Sequence, residues 1–292
     1  MSLSINYNSP SELRAFLESR GLGMRKKFGQ NFLINPNARK QILDTLELHG
    51  EENVWEIGAG LGAMTVDILE RGVKLKVFEI DPGFINVLHE LFYSNENFTL
   101  VEGDVFKTWP MEANKESGNL HLLGNLPYNI AASLLGDFIE KKRYFKRMVV
   151  TVQKEVAERM AAKNGTKNYS SFSVLCSSVY NVKLLNVIKG ASFYPVPKID
   201  SRIVRLDLKD NINILPEIFY PMVRNLFSAR RKNIKNSLSA YITGKDKSGK
   251  PSICSAEDIL RSAGISPDRR PETLGIEEFI GLSVITEEIL GA

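Results

Sequence analysis

The chain has 292 residues, 43% apolar and 25% charged, enough for one large globular domain and a smaller one with ample core. Its formal net charge of +4, from 38 Lys and Arg against 34 Asp and Glu, carries meaning only once the charges are located. Cys176 and Cys254 have no CxxC companion and His49, His89 and His121 fall in no ligand spacing, which excludes a zinc site and a disulfide framework and leads us to expect a reducing cytoplasm and no metal.

The opening residues Met1 to Tyr7 lack a basic segment followed by a long apolar run, and no stretch reaches the length of a membrane span, so we expect no export and no membrane partner. Ser9-Pro10 starts a short amphipathic helix with Leu13, Phe16 and Leu17 on one face, an N-terminal extension over residues 1–24. Arg25-Lys26-Lys27-Phe28-Gly29-Gln30-Asn31-Phe32-Leu33 follows, three cations leading into a polar loop that is either a connector or a binding loop. Ala38, Ile42, Leu43 and Leu46 recur at helical spacing.

Val54-Trp55-Glu56-Ile57 is a buried first strand that runs into Gly58-Ala59-Gly60-Leu61-Gly62 and then a helix. Glycines there let the backbone turn sharply and approach a ligand at a helix N-terminus. The pattern satisfies both the dinucleotide fingerprint and the Glu-x-Gly-x-Gly-x-Gly loop of S-adenosylmethionine enzymes. Both require a ribose-holding acid at the end of the second strand, and Glu79, followed by Ile80, stands about 20 positions past Gly58. Asp81-Pro82 caps the next helix. A third strand ends at Gly103-Asp104, before Val105, with a carboxylate able to accept from an adenine amine, which favours S-adenosylmethionine. Residues 110–118 are polar and glycine-ended, as in an exposed loop.

The fourth strand delivers Gly124-Asn125-Leu126-Pro127-Tyr128 before a helix from Ile130 to Glu140. An amide, a proline-stiffened turn and a ring at a strand end can hold an exocyclic amine and stack on a flat base. The same residues can also form an ordinary turn, with Asn as helix cap and Pro in the first turn. Residues 141–167 then carry nine cations against Glu155 and Glu158. With Arg25 to Lys27 and the C-terminal set Arg224, Arg230, Arg231, Lys232 and Lys235, they make three acid-poor basic stretches, as a one-sided phosphate-binding surface requires.

Residues 179–189 and 201–208 alternate as two closing strands, and between them Phe193-Tyr194-Pro195-Val196-Pro197-Lys198 is a stiff loop with two rings. That loop either buries its aromatics or lets Phe193 pair with Tyr128 as a second stacking surface on a flipped base. Helices are expected over 218–227, 228–241, 255–263 and 276–289, with a flexible insertion over 243–252 and a domain boundary near residue 210.

Taken together, the motifs at Gly29 to Leu33, Glu56 to Gly62, Glu79 to Asp81, Gly103-Asp104, Asn125 to Tyr128, Gln153 to Arg159, Phe193 to Lys198 and Phe227 to Lys232 resemble the KsgA-type family, the adenine-N6 dimethyltransferases of small-subunit ribosomal RNA. Ala59 stands where many members have Pro, and Ser171 where many have Gly. The resemblance spans nearly the whole chain. It implies an α/β fold with a Rossmann-like class I methyltransferase sheet of seven strands, one antiparallel, over residues 25–209, and a smaller all-helical RNA-binding domain over 210–292. It implies S-adenosyl-L-methionine held by Gln30, Asn31, Leu33, Gly58, Gly60, Glu79, Ile80, Asp104, Val105 and Asn125, with Asn125, Leu126, Tyr128 and Phe193 at the acceptor base. Phosphate contacts then fall to Arg25, Lys26, Lys27, Lys154, Arg159, Arg230, Arg231, Lys232 and Lys235.

The implied reaction is dimethylation of two adjacent adenines near the 3′ end of small-subunit RNA within an assembly particle, by a monomer. A nicotinamide oxidoreductase explains the glycine loop but leaves Asn125 to Tyr128 without purpose. An assembly factor without chemistry explains the charge but needs no intact cofactor set.

Overall fold

The computed structural model describes residues 4–23, 30–113, 119–212, 215–229, 232–245 and 254–290. By packing, the chain divides into two units, Met1–Ala157 with Val182–Leu208, and Glu158–Asn181 with Lys209–Ala292. Residues 158–181 thus pack with the C-terminal helices rather than with the sheet that precedes them in sequence.

The first unit runs α1 (Pro10–Ser19), β1 (Phe32–Leu33), α2 (Pro36–Leu46), β2 (Asn53–Ile57), α3 (Ala63–Leu69), β3 (Lys74–Glu79), α4 (Pro82–Phe92), β4 (Phe98–Glu102), α5 (Val105–Glu112), β5 (Leu120–Asn125), α6 (Ala131–Glu140) and β6 (Arg147–Gln153). The chain continues through α7 (Lys154–Met160) and α8 (Ser171–Val179) to β7 (Tyr180–Ile188), β8 (Phe193–Tyr194) and β9 (Ser201–Leu208). Three helices start on the same chemistry. Ser9, Asn35 and Asp81 each accept from a backbone N–H of the first turn, and Pro10, Pro36 and Pro82 fill the first helical position, where no N–H is needed.

Among the described residues, seven strands form one sheet in the order β4-β3-β2-β5-β6-β9-β7. Strands β4, β3, β2, β5 and β6 are parallel, and β9 runs antiparallel to β6. The apolar runs of β2, β5 and β6 are buried because helices cover both faces of a parallel sheet. The order reverses between β2 and β5, and the crevice beyond their C-terminal ends is where such sheets bind ligands. This is the expected Rossmann-like α/β architecture.

A second, two-stranded ribbon pairs β1 with β8 antiparallel, Phe32 opposite Tyr194 and Leu33 opposite Phe193. Over the glycine loop lies the N-terminal arm. Leu13 and Leu17 bury against Leu61, Phe84 and Val87, and the Tyr7 hydroxyl donates to the Leu61 carbonyl at 3.0 Å. Burial of each leucine contributes roughly 1.5–3 kcal/mol to holding the arm in place.

The second unit includes α8, α9 (Phe219–Ser228), α10 (Ile234–Lys245), α11 (Ala256–Ser262) and α12 (Ile276–Leu290). Two sequence expectations need correction. Residues 110–112 belong to α5, because Trp109 is buried, donates to Asp137 at 2.9 Å and packs on Phe138, holding the last turn despite Pro110. The helix expected over 228–241 begins at Ile234 instead, since Ala229 leaves helical geometry at φ −125° and ψ 61°. Among the described residues no helix is long and apolar enough to cross a membrane.

Candidate active site

Beyond the ends of β2, β3 and β5 lies a cavity of about 270 Å³. All ten residues expected at the cofactor line it, as do Leu126 and Tyr128 of the acceptor set. Phe193 does not. Its ring is 1% exposed in the core with Leu33 and Ile188, so the stacking face expected of it is not available to a base. The physical reason is its pairing with Leu33 across the ribbon, which turns the ring inward.

The cofactor half is built from acids bound to the chain's own backbone. Glu79 is buried, and its Oε2 accepts the Gly60 N–H at 2.9 Å while Oε1 accepts those of Ile80 and Asp81 at 2.8 and 2.9 Å. Burial pushes its carboxyl up from the ordinary range, and these three donors hold it back. Asp104 caps α5 through the Phe106 N–H at 3.0 Å. Gln30 donates to Asp81 at 3.0 Å, so the loop before β1 is fastened to the cap of α4.

The glycine loop is left-handed at Gly58, Gly60 and Gly62. A Cβ on Gly60 would lie 3.0 Å from the Phe32 ring, so a side chain there is both strained and obstructed. Glu56, at the end of β2, is fully buried and accepts the Thr65 hydroxyl at 2.7 Å; burial pushes its carboxyl to about 8. In the sequence Glu56 is only the acid that opens the Glu-x-Gly-x-Gly-x-Gly run, and nothing there marks its burial or its bond to Thr65.

The acceptor half is organised differently. Asn125 closes β5 and is not a helix cap, since α6 begins six residues later at Ala131 behind Ile130. Its Nδ2 donates to the Asn31 carbonyl at 2.9 Å, and among the described residues nothing is bonded to its Oδ1. Leu126 folds its side chain under Gly124, two residues earlier, where a Cβ would come within 2.6 Å of Leu126 Cδ2 and force that side chain to shift. The Pro127 carbonyl accepts from Ile130 and Ala131, leaving the turn fixed. Tyr128 is held by a 2.7 Å bond between its hydroxyl and Ser201, and burial raises its phenol. Nothing in the sequence marked Ser201.

The residues present fit S-adenosylmethionine. A carboxylate that already gathers three N–H groups stands at the end of β3, Ile80 is 39% exposed as an apolar wall, and Gly58, Gly60 and Gly62 hold the loop in a left-handed backbone that side chains rarely adopt. Among the described residues no group of three or more His, Cys, Asp or Glu side chains is placed to hold a metal ion.

The basic stretches divide on inspection. Arg147 spans Glu47 and Asp207 at 2.5 and 2.7 Å, Arg143 lies 4.8 Å over the Trp55 ring, and Lys141 pairs with Asp137. These cations bind their own fold, which corrects the expectation that the whole stretch forms one phosphate-facing surface. Lys154 and Lys232 are exposed, Arg159 lies over the Phe172 ring, and Lys235 pairs with Glu257 at 2.5 Å. Arg25, Lys26, Lys27, Arg230 and Arg231 lie outside the described residues.

The family model described as ribosomal RNA adenine dimethylase matches residues 21–279. The ribosomal RNA small subunit methyltransferase A of Treponema denticola is 43% identical over 285 residues, 96% of this chain and 95% of that protein. Its counterpart in Borreliella afzelii is 41% identical over 286 residues, covering 97% and 96%. Among solved structures, a dimethyladenosine transferase from Plasmodium falciparum matches with a TM-score of 0.72 at 26% identity, over 88% of this chain and 97% of that one. The 23S rRNA methyltransferase ErmE shares the fold, with a TM-score of 0.60 at 22% identity over 87% and 98%. The chain belongs to the ribosomal RNA adenine dimethylase family.

Proposed function

We propose that this enzyme transfers methyl groups from S-adenosylmethionine to the N6 amines of two adjacent adenines near the 3′ end of small-subunit ribosomal RNA, giving N6,N6-dimethyladenines as a step of small-subunit maturation. The observation that carries the reading is the Asn125 amide, whose nitrogen is tied to the Asn31 carbonyl and whose oxygen is left to accept. The names of the relatives support the small subunit as the source of the RNA.

When bound, S-adenosylmethionine supplies a methyl group made electrophilic by its sulfonium, so no activating acid is required. The residues of the chain position and polarise. Asn125 Oδ1 and the Leu126 carbonyl accept the two N–H groups of the amine and draw its nitrogen toward a pyramidal, nucleophilic form, while the Tyr128 ring stacks on the base. The nitrogen forms its new bond to carbon as the carbon–sulfur bond breaks, and its proton passes to solvent. After one methylation a single N–H remains, so the second transfer uses one acceptor.

Lys154, Arg159, Lys232 and Lys235, with Arg25, Lys26, Lys27, Arg230 and Arg231, are the proposed phosphate contacts, and residues 210–292 the proposed RNA-gripping domain. We place the reaction in the cytoplasm, on an assembly particle, with the enzyme as a monomer. Labelled methyl transfer to undermethylated small subunits, large subunits and naked RNA, with the modified base mapped, tests the reading. Label at two adjacent adenines of the small-subunit RNA is expected. Label confined to large subunits would overturn it.

A further inference from the structure

Between β8 and β9 the chain exposes two apolar side chains, Val196 at 67% and Ile199 at 51%. Isolated exposed apolar residues are ordinary on a protein surface. This pair differs because its loop is braced at Asp200 and against Gly190. Asp200 accepts Lys189 Nζ at 2.7 Å and the Gly190 N–H at 3.3 Å, and its carbonyl accepts the Lys154 N–H at 3.1 Å. Pro195 and Pro197 fix their own φ. Gly190 lies so close beneath that a Cβ there would sit 2.9 Å from the Pro197 carbonyl oxygen.

The next residue, Ser201, bonds the Tyr128 hydroxyl, so the loop is registered directly on the acceptor half of the pocket. Lys154 and Lys198 are exposed beside it. Apolar tips on a rigid support, flanked by cations, are suited to enter a base stack whose backbone is held by charge.

On the function proposed above, we infer that Val196 and Ile199 are positioning residues that wedge against the bases neighbouring the extruded adenine. They keep the gap in the stack open while the base lies between Asn125 and Tyr128. The partner surface is RNA bases, and the loop supplies the contact that the buried Phe193 ring does not.

The test is methyl transfer to undermethylated small subunits by the parent, by a Val196→Ser, Ile199→Ser double variant and by a conservative Val196→Leu, Ile199→Val double variant. The polar pair is expected to lower kcat/KM roughly ten-fold or more, the scale of lost apolar contacts in a closed site. Its affinity for S-adenosylmethionine and its salt dependence should stay at parental values, and the conservative pair should stay near parental in transfer. Parental transfer by the polar pair overturns the inference, as does equal loss in both pairs or a fall in cofactor affinity, which would mark a structural role. A photo-crosslinking residue at position 196 should join to ribosomal RNA; crosslinks confined to a ribosomal protein also overturn it. A parent that leaves small subunits unlabelled instead refutes the proposed function and is distinguishable from all of these outcomes.

Discussion

The two halves of the pocket hold their polar groups in opposite ways. On the side proposed to hold the cofactor, Glu79 spends both oxygens on three backbone N–H groups of the chain, so the acid is scaffold for its own loop. On the proposed acceptor side, Asn125 ties down only its nitrogen, and among the described residues its oxygen is left to accept. The difference separates binding from turnover. Damage to the first half should appear in cofactor affinity and stability, and damage to the second in rate.

The largest effect is expected from Asn125→Ala. It should lower methyl transfer about 100-fold or more, the scale of losing one preorganised polar group at a reacting centre, while binding to ribosomal particles is retained. Isothermal titration with single-turnover transfer separates the two quantities, and a parental rate would remove the amide from the mechanism. Glu79→Gln should do the reverse. Whichever way the new amide turns, its NH2 faces a backbone N–H, so cofactor affinity should drop about ten-fold and the thermal midpoint should fall. A variant that binds as tightly as the parent would show that the scaffold survives without its charge.

Tyr128→Phe and Ser201→Ala each delete the bond that orients the ring while keeping the ring itself. Both should lower kcat by a few-fold, about 1 kcal/mol or less, and in the double variant the losses should not add. Additive losses would mean that the two hydroxyls act separately. The smallest effect on transfer belongs to Glu56→Gln.

Its carboxyl titrates at about 8 in the folded chain and near 4.5 when exposed, so between those values the folded form holds a proton that the unfolded form has lost. Its contribution to stability is therefore unpenalised below about 4.5 and declines as pH rises toward 8. Glutamine keeps the acceptor for Thr65 and does not titrate. The thermal midpoint of the variant should gain on that of the parent from pH 5 to 8, with transfer near parental at pH 7. A constant gap across that range would show that Glu56 is ionised in the folded protein.

Much of this site was legible because its parts are contiguous strand-to-loop units. The glycine run after β2, Glu79 and Asp104 at strand ends, and Asn125 to Tyr128 each carry their chemistry within a few residues of sequence. What escaped depends on partners distant in the chain. A ribbon of two residues per strand leaves no periodicity to find, yet it decides that Phe193 is buried. Likewise, Arg147 looks like a phosphate contact until Glu47 and Asp207, 100 and 60 residues away, are placed beside it. The clasp between Tyr128 and Ser201 joins positions 73 residues apart.

The acceptor for the Asn125 nitrogen is the main-chain carbonyl of Asn31, not its side chain. Every residue type offers that carbonyl, so the aim of the amide is written in the path of the backbone rather than in the identity of residue 31. The neighbouring β1 strand fixes that path through its pairing with β8. Loosening the ribbon would thus detune the amide proposed to hold the amine without altering one atom of it.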